Sequence, residues 1–340
     1  MKRALLIGFL LTACGQGRDV LLGDGPPCPA GMSIPEDTSA LLGDAVGFGR
    51  AAKGGLGGCL YHVTTLTDAG TGSLREGLER PEPLWIVFDV SGTIELSTNI
   101  IVANNKTIDG RGRAVTLHNG GLIIEARSEV VVENLSFDGS GLDPVTYPST
   151  DAISLLSGSH DVWIDHCNFS AFPDGSVDIT QASTDVTVSW STFQNQSKVM
   201  LVSSNAEATA DTVIRVTVHH NWFVQTDMYH PRLRFGKAHT FNNFHDRWGL
   251  AGIAVAMNGE VASENNIFAA DTHPEALLIT AGTDPTPGLA RSTGDWLLNG
   301  AVVEQAQPDV VFNPATYYAY QAAPADDALR SSIMANAGPR

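Results

Sequence analysis

The chain is 340 residues long, with 43% hydrophobic and 17% charged residues, a composition that excludes a disordered protein and supplies an ample core. Its formal charge of -17 excludes nucleic acid, or an anionic membrane surface, as a partner held by bulk electrostatics. The same charge would repel a polyanionic ligand unless cations were placed locally to receive it.

In chain order, Lys2 and Arg3 precede a short apolar run from Ala4 to Leu11, well under the roughly 20 residues that span a bilayer. This reads as an export signal. It ends in Leu11-Thr-Ala-Cys14, which matches the lipobox of bacterial lipoproteins. The expectation is a signal peptide over residues 1–13, a lipid on Cys14, a Gly- and Pro-rich tether over 14–42 and a folded domain over 43–340. The protein is then exported, as an envelope lipoprotein or a secreted protein, and meets a membrane only through its lipid. Cys14→Ser is expected to move it from the membrane fraction to the soluble fraction; equal fractionation of both forms would rule the anchor out. In an oxidising compartment Cys28 and Cys59 are the expected disulfide, and Cys167 a buried core thiol.

From Val46 onward short strand-like runs recur: Glu129–Phe137, Asp161–Phe169, Asp185–Phe193, Arg215–Phe223, Ala238–Phe244 and Glu260–Phe268. Most begin with alternating β-branched residues, pass through Asn, His or Ser, and end on Phe. Intervals of 32, 24, 30, 21 and 24 residues between those phenylalanines predict a solenoid with loops of unequal length. A β-propeller would need hairpin turns at a rhythm that is missing here. The fold class is therefore all-β, a parallel β-helix. Residues 269–300, rich in Thr, Pro and Gly, are read as loops. Residues 326–338 read as a helix that covers the last coil or packs on its side. A monomer is expected.

Asp174-Gly-Ser-Val-Asp178 places two carboxylates beside a glycine, with Asp151 one coil earlier. Clustered oxygen ligands suit Ca²⁺, although the spacing alone also fits a solvated turn.

Several motifs carry a family resemblance. They are Val46-Gly-Phe-Gly-Arg50, Gly72-Ser-Leu-Arg75, Asn105-Lys-Thr-Ile-Asp-Gly-Arg-Gly112, Val162-Trp-Ile-Asp-His166 and His230-Pro-Arg-Leu-Arg-Phe-Gly236. In this order they resemble the calcium-dependent bacterial pectate lyases. The resemblance implies a right-handed parallel β-helix that cleaves a polygalacturonate-type acidic polymer (pectate) by Ca²⁺-assisted β-elimination. It implies Asp151, Asp174 and Asp178 as metal ligands, and Lys198 and Arg234 as substrate-binding cations. Together with Ca²⁺ these cations would make the cleft locally positive on an acidic protein. Trp163, Asp165 and His166 read as structural, and His219-His220 as part of a polar ladder.

One position departs from the pattern. The family's general base is an arginine two residues before the proline; here that residue is Tyr229. The catalytic candidates are Tyr229, which needs a neighbouring cation to work as a base, His230 and Arg232. The rival expectation is a catalytically impaired protein that binds uronate polymers on the same scaffold. A glycoside hydrolase would want an acid–base carboxylate pair, whereas these aspartates match metal ligands.

Overall fold

The computed structural model describes residues 39–280 and 284–340. Cys14, Cys28 and most of the expected tether lie outside the described residues. Cys59 is disulfide-bonded, and Cys167 is a free, buried thiol. Among the described residues no helix is long and apolar enough to cross a membrane.

Three parallel sheets of ten, nine and nine strands wrap into a right-handed β-helix. One coil shows the plan: His160–Asp165 in the first sheet, Asn168–Ser170 in the second, then a loop, then Val177–Ile179 in the third. The corner after the first sheet is a single left-handed residue in coil after coil: Asn134, His166, Trp190, His220, Asn242 and Asn265 all have φ between 45° and 61°. Asparagine and histidine tolerate this conformation better than β-branched residues do, which explains the polar step inside each repeat.

The phenylalanines end the repeats because they stack inside the cylinder. Phe137, Phe169, Phe193 and Phe223 lie with ring centroids 5.0 Å apart. The next place is held by His245, 4.7 Å from Phe223, and Phe268 follows at 4.5 Å. Phe244 therefore does not continue the stack as its repeat suggested. It sits with Ile267 beneath Leu329 and Ile333 of the C-terminal helix Asp327–Asn336. That helix is capped by Asp326, whose side chain accepts from the Leu329 N–H at 2.9 Å, and it packs on the side of the solenoid. Beside the aromatic stack runs an amide ladder: Asn221 donates to Asn243 Oδ1 at 3.0 Å, and Asn243 to Asn266 Oδ1 at 2.9 Å. Burying these amides costs little because each finds its partner in the next coil.

Two expectations are corrected. Residues 269–300 are not loops alone: Glu275–Ile279, Leu289–Thr293 and Trp296–Leu298 within them are strands of a further coil. The folded part also begins before the expected residue 43, because Ser39–Gly43 is a helical turn whose Leu41 is buried with Trp85, Val131 and Trp163. The segment after it lies across the first sheet, where the Phe48 and Gly49 N–H groups donate to Thr217 and Thr187 at 3.0 and 2.9 Å. A side chain at Gly49 would put its Cβ 2.4 Å from the Val162 carbonyl oxygen, so the closeness of this crossing requires glycine.

Candidate active site

The loop entering each strand of the third sheet varies in length, and the sequence-predicted site residues lie at these entries. Register ties neighbouring coils together: Ser154, Asp178, Leu201 and Arg232 pair in succession across four adjacent strands. Asp178 thus stands on a strand, while Asp151, Asp174, Lys198 and Tyr229 stand just before one.

Asp174, Asp178, Lys198, Tyr229 and Arg234 line one cleft of about 230 Å³, floored by Gly175 and Leu201. Asp151 lies at the edge of that floor, where its Oδ1 accepts the Gly175 N–H at 2.8 Å and its Oδ2 the Ser154 hydroxyl at 3.0 Å. A Cβ on Gly175 would stand 2.9 Å from Asp178 Oδ1 and 3.0 Å from Asp151 Oδ1. The missing side chain is therefore what lets two carboxylates converge. Burial first, then repulsion by Asp174, pushes the Asp151 carboxyl above its ordinary range. Burial, Asp151 and Asp174 push Asp178 further up. Asp174 turns to the Lys198 ammonium, and this hydrogen bond raises the lysine's pKa. The three aspartates are looser than the one acidic group, among the described residues, whose ligand atoms all lie within 4.8 Å: Glu133, Asp165 and His166.

The remaining candidates separate. Tyr229 is half-buried, in left-handed backbone with φ 70°, and faces the cleft. His230 is 1% exposed and points into the cylinder, stacked on Phe223 at 4.7 Å with Nε2 2.7 Å from the Thr226 hydroxyl. Burial lowers its pKa to about 3, and its ring is out of reach of the cleft. Arg232 is not in the cleft wall; its guanidinium pairs with Asp284 and lies over the Tyr229 ring, 5.4 Å from the centroid. Arg234 donates to the other Asp284 oxygen at 2.8 Å and to the Ser203 and Ser204 carbonyls at 3.2 and 3.1 Å. Asp284 is the residue that sequence reasoning missed. Cations on an apolar strand demand a carboxylate, but this one comes from the last coil, where the sequence reads as loop.

The Val162-Trp-Ile-Asp-His166 signature lies on the first sheet, away from this cleft. Trp163 Nε1 donates to Ser189 at 2.9 Å, Ser189 donates to Asp165, and Asp165 Oδ2 is 2.5 Å from His166 Nδ1. These residues border a separate cavity of about 650 Å³. His219 and His220 join the aromatic stacking beside it, His220 lying 4.4 Å from Trp190.

Glu133 pairs with Asp165 across adjacent strands, and burial with Asp165 holds its carboxyl protonated far above the ordinary range. The folded state keeps this proton, whereas an unfolded glutamate loses it above about pH 4.3, so stability should fall as pH rises from there through neutrality. Glu133→Gln is expected to flatten that fall. Melting curves near pH 5 and pH 9 should show the gap between midpoints narrowing by roughly 2–4 °C; an unchanged gap would remove Glu133 as the source of the fall.

A family model described as pectate lyase matches residues 93–339. Pectate lyase 1 of Chamaecyparis obtusa is 37% identical over 76% of this chain and 76% of its own length. Pectate lyase 1 of Cryptomeria japonica is 35% identical, covering 87% and 85%. The structure of jun a 1, the major allergen from cedar pollen, superposes with a TM-score of 0.78 at 30% identity over 88% of this chain and 94% of that one. A pectate lyase from Bacillus sp. N165, solved in complex with trigalacturonate, shares the fold with a TM-score of 0.69 at 23% identity, covering 87% and 98%. With its fold, its ordered motifs and these relatives in agreement, this chain belongs to the pectate lyase family.

Proposed function

We propose that this protein is an exported polysaccharide lyase that cleaves a polygalacturonate-type polymer by Ca²⁺-assisted β-elimination. The observation that carries the reading is the single cleft in which Asp174, Asp178, Lys198, Tyr229 and Arg234 meet. Asp151, Asp174 and Asp178 are the residues that would hold Ca²⁺. The donor set fits, since the Asp151 and Asp178 carboxylates converge over Gly175 without enough positive charge to balance them. When bound, the ion supplies charge neutralisation of the sugar carboxylate, which makes the adjacent proton easier to remove.

Lys198 and Arg234 then grip uronate carboxylates, with Arg234 held in place by Asp284. Tyr229, beside Lys198 in the cleft, takes the proton from C5 at its Oη. The electron pair left behind forms the C4–C5 double bond, the C4–oxygen bond breaks, and the leaving oxygen takes up a proton. Arg232 positions the tyrosine ring from above. The base is thus Tyr229 rather than His230, whose ring is inside the cylinder.

Tyr229 standing where the family has arginine supports one rival, a protein that binds uronate polymers without cleaving them. Mass spectrometry of products from a short oligogalacturonate with Ca²⁺ separates the readings. Elimination leaves one fragment lighter by a water than its hydrolysis counterpart. Products carrying that water would overturn the lyase in favour of a hydrolase, and intact oligomer would leave the binding protein.

A further inference from the structure

The cleft does not end at Asp151. On the N-terminal side of the stack a second cavity of about 390 Å³ is lined by Ser97, Thr98, Asn99, Asn119, Tyr147 and Thr150. It occupies the same strand entries: Ile100, Leu122, Ile153 and Val177 pair in succession, so the residues before them stack coil on coil at roughly 4.8 Å per step. The two cavities share a rim, because the Thr150 carbonyl accepts the Asp174 N–H at 3.3 Å. A polymer laid over Asp174 and Lys198 along the stack runs into this second cavity.

Its chemistry is the reverse of the first. No lysine or arginine lines it. The guanidinium of Arg75 is occupied behind it, donating to the Asn99 and Thr98 carbonyls at 3.1 and 2.8 Å and to Asp68 at 3.0 Å. Asp143, in the loop that forms the outer wall, folds its carboxylate back onto that loop and accepts the Val145 N–H at 3.0 Å. A uronate carboxylate entering here would find no lysine or arginine among the lining residues. The groups on offer are neutral: the Tyr147 ring at 49% exposure and Asn119, whose buried Oδ1 has no partner. An exposed phenol ring suits a sugar face or an ester methyl.

We propose that this cavity is a subsite for an uncharged sugar unit, a methyl-esterified galacturonate, so that the preferred polymer is partly esterified rather than fully de-esterified. The proposal rests on the lyase reading above and deepens it. The test compares kcat/KM on polygalacturonate with kcat/KM on partly methyl-esterified polygalacturonate. The wild type should favour the esterified polymer by roughly three- to tenfold, the size of one aromatic contact. Tyr147→Ala should bring that ratio close to one. Thr98→Lys, which gives the cavity a cation, should invert it. A wild-type ratio at or below one, or a ratio unmoved in both variants, would overturn the subsite. Should the wild type cleave neither polymer, the lyase reading fails by itself. The subsite is then read by calorimetric titration with esterified and unesterified oligomers, where equal affinities overturn it and tighter esterified binding, lost in Tyr147→Ala, supports it.

Discussion

Replacing Tyr229 by phenylalanine is expected to lower kcat on polygalacturonate by roughly 10²–10⁴-fold, the usual worth of a general base, while substrate affinity stays nearly constant. The ring, its packing beneath Arg232 and the left-handed backbone are all kept, and only the oxygen is lost. Tyr229→Arg completes the comparison, since it restores the residue that the family pattern places there. Arginine meets the same backbone cost as tyrosine, so its folding should be similar. With Tyr229 working as the base, the arginine variant should not exceed the wild type. A large gain from arginine over an almost silent wild type would instead mark this chain as an impaired binder. Equal activity of wild type and Phe variant would take the base role from Tyr229 altogether.

Asp178→Asn should produce two opposite effects. Ca²⁺ affinity is expected to drop by at least about 10–100-fold, the range seen even for groups that only support a ligand, and turnover should fall with it. Without Ca²⁺ the variant should melt higher than the wild type. The reason is that a carboxyl pushed up by burial and by two aspartate neighbours destabilises the folded state above its ordinary pKa, and asparagine carries no such penalty. In the wild type Ca²⁺ should restore the difference, adding about 2.7 kcal/mol at a hundredfold excess over Kd. Calorimetry and melting curves with and without the ion check both halves. Calcium binding that survives the substitution would remove Asp178 from the metal set, and an unchanged ion-free melting point would remove the repulsion.

The β-helix was legible because a solenoid asks the same question of every coil. A ring that stacks on its neighbours must return at each turn, so Phe137, Phe169, Phe193 and Phe223 announce the architecture. The signal failed where two adjacent residues could each fill the place. Phe244 looked like the next stacked ring, but register gives that position to His245. The coil within residues 269–300 was hidden because its strands are short and set among Thr, Pro and Gly. The cleft was legible through the family resemblance, which pointed to Asp151, Asp174, Asp178, Lys198 and Arg234, the last of them inside a quoted motif. Sequence could not say which way His230 points, since it lies in a turn where no alternation applies. Nor could it supply Asp284, whose partners stand 50 and 52 residues away and meet it only when the last coil closes.

The measurement that bears most directly on the central claim is the ultraviolet absorbance of polygalacturonate incubated with the wild-type protein. The unsaturated uronate made by elimination absorbs, while substrate and hydrolysis products do not. Absorbance should rise steadily with Ca²⁺, stop when a chelator is added and resume when Ca²⁺ is restored. A flat trace under all these conditions, or a rise indifferent to the chelator, would contradict a Ca²⁺-assisted lyase.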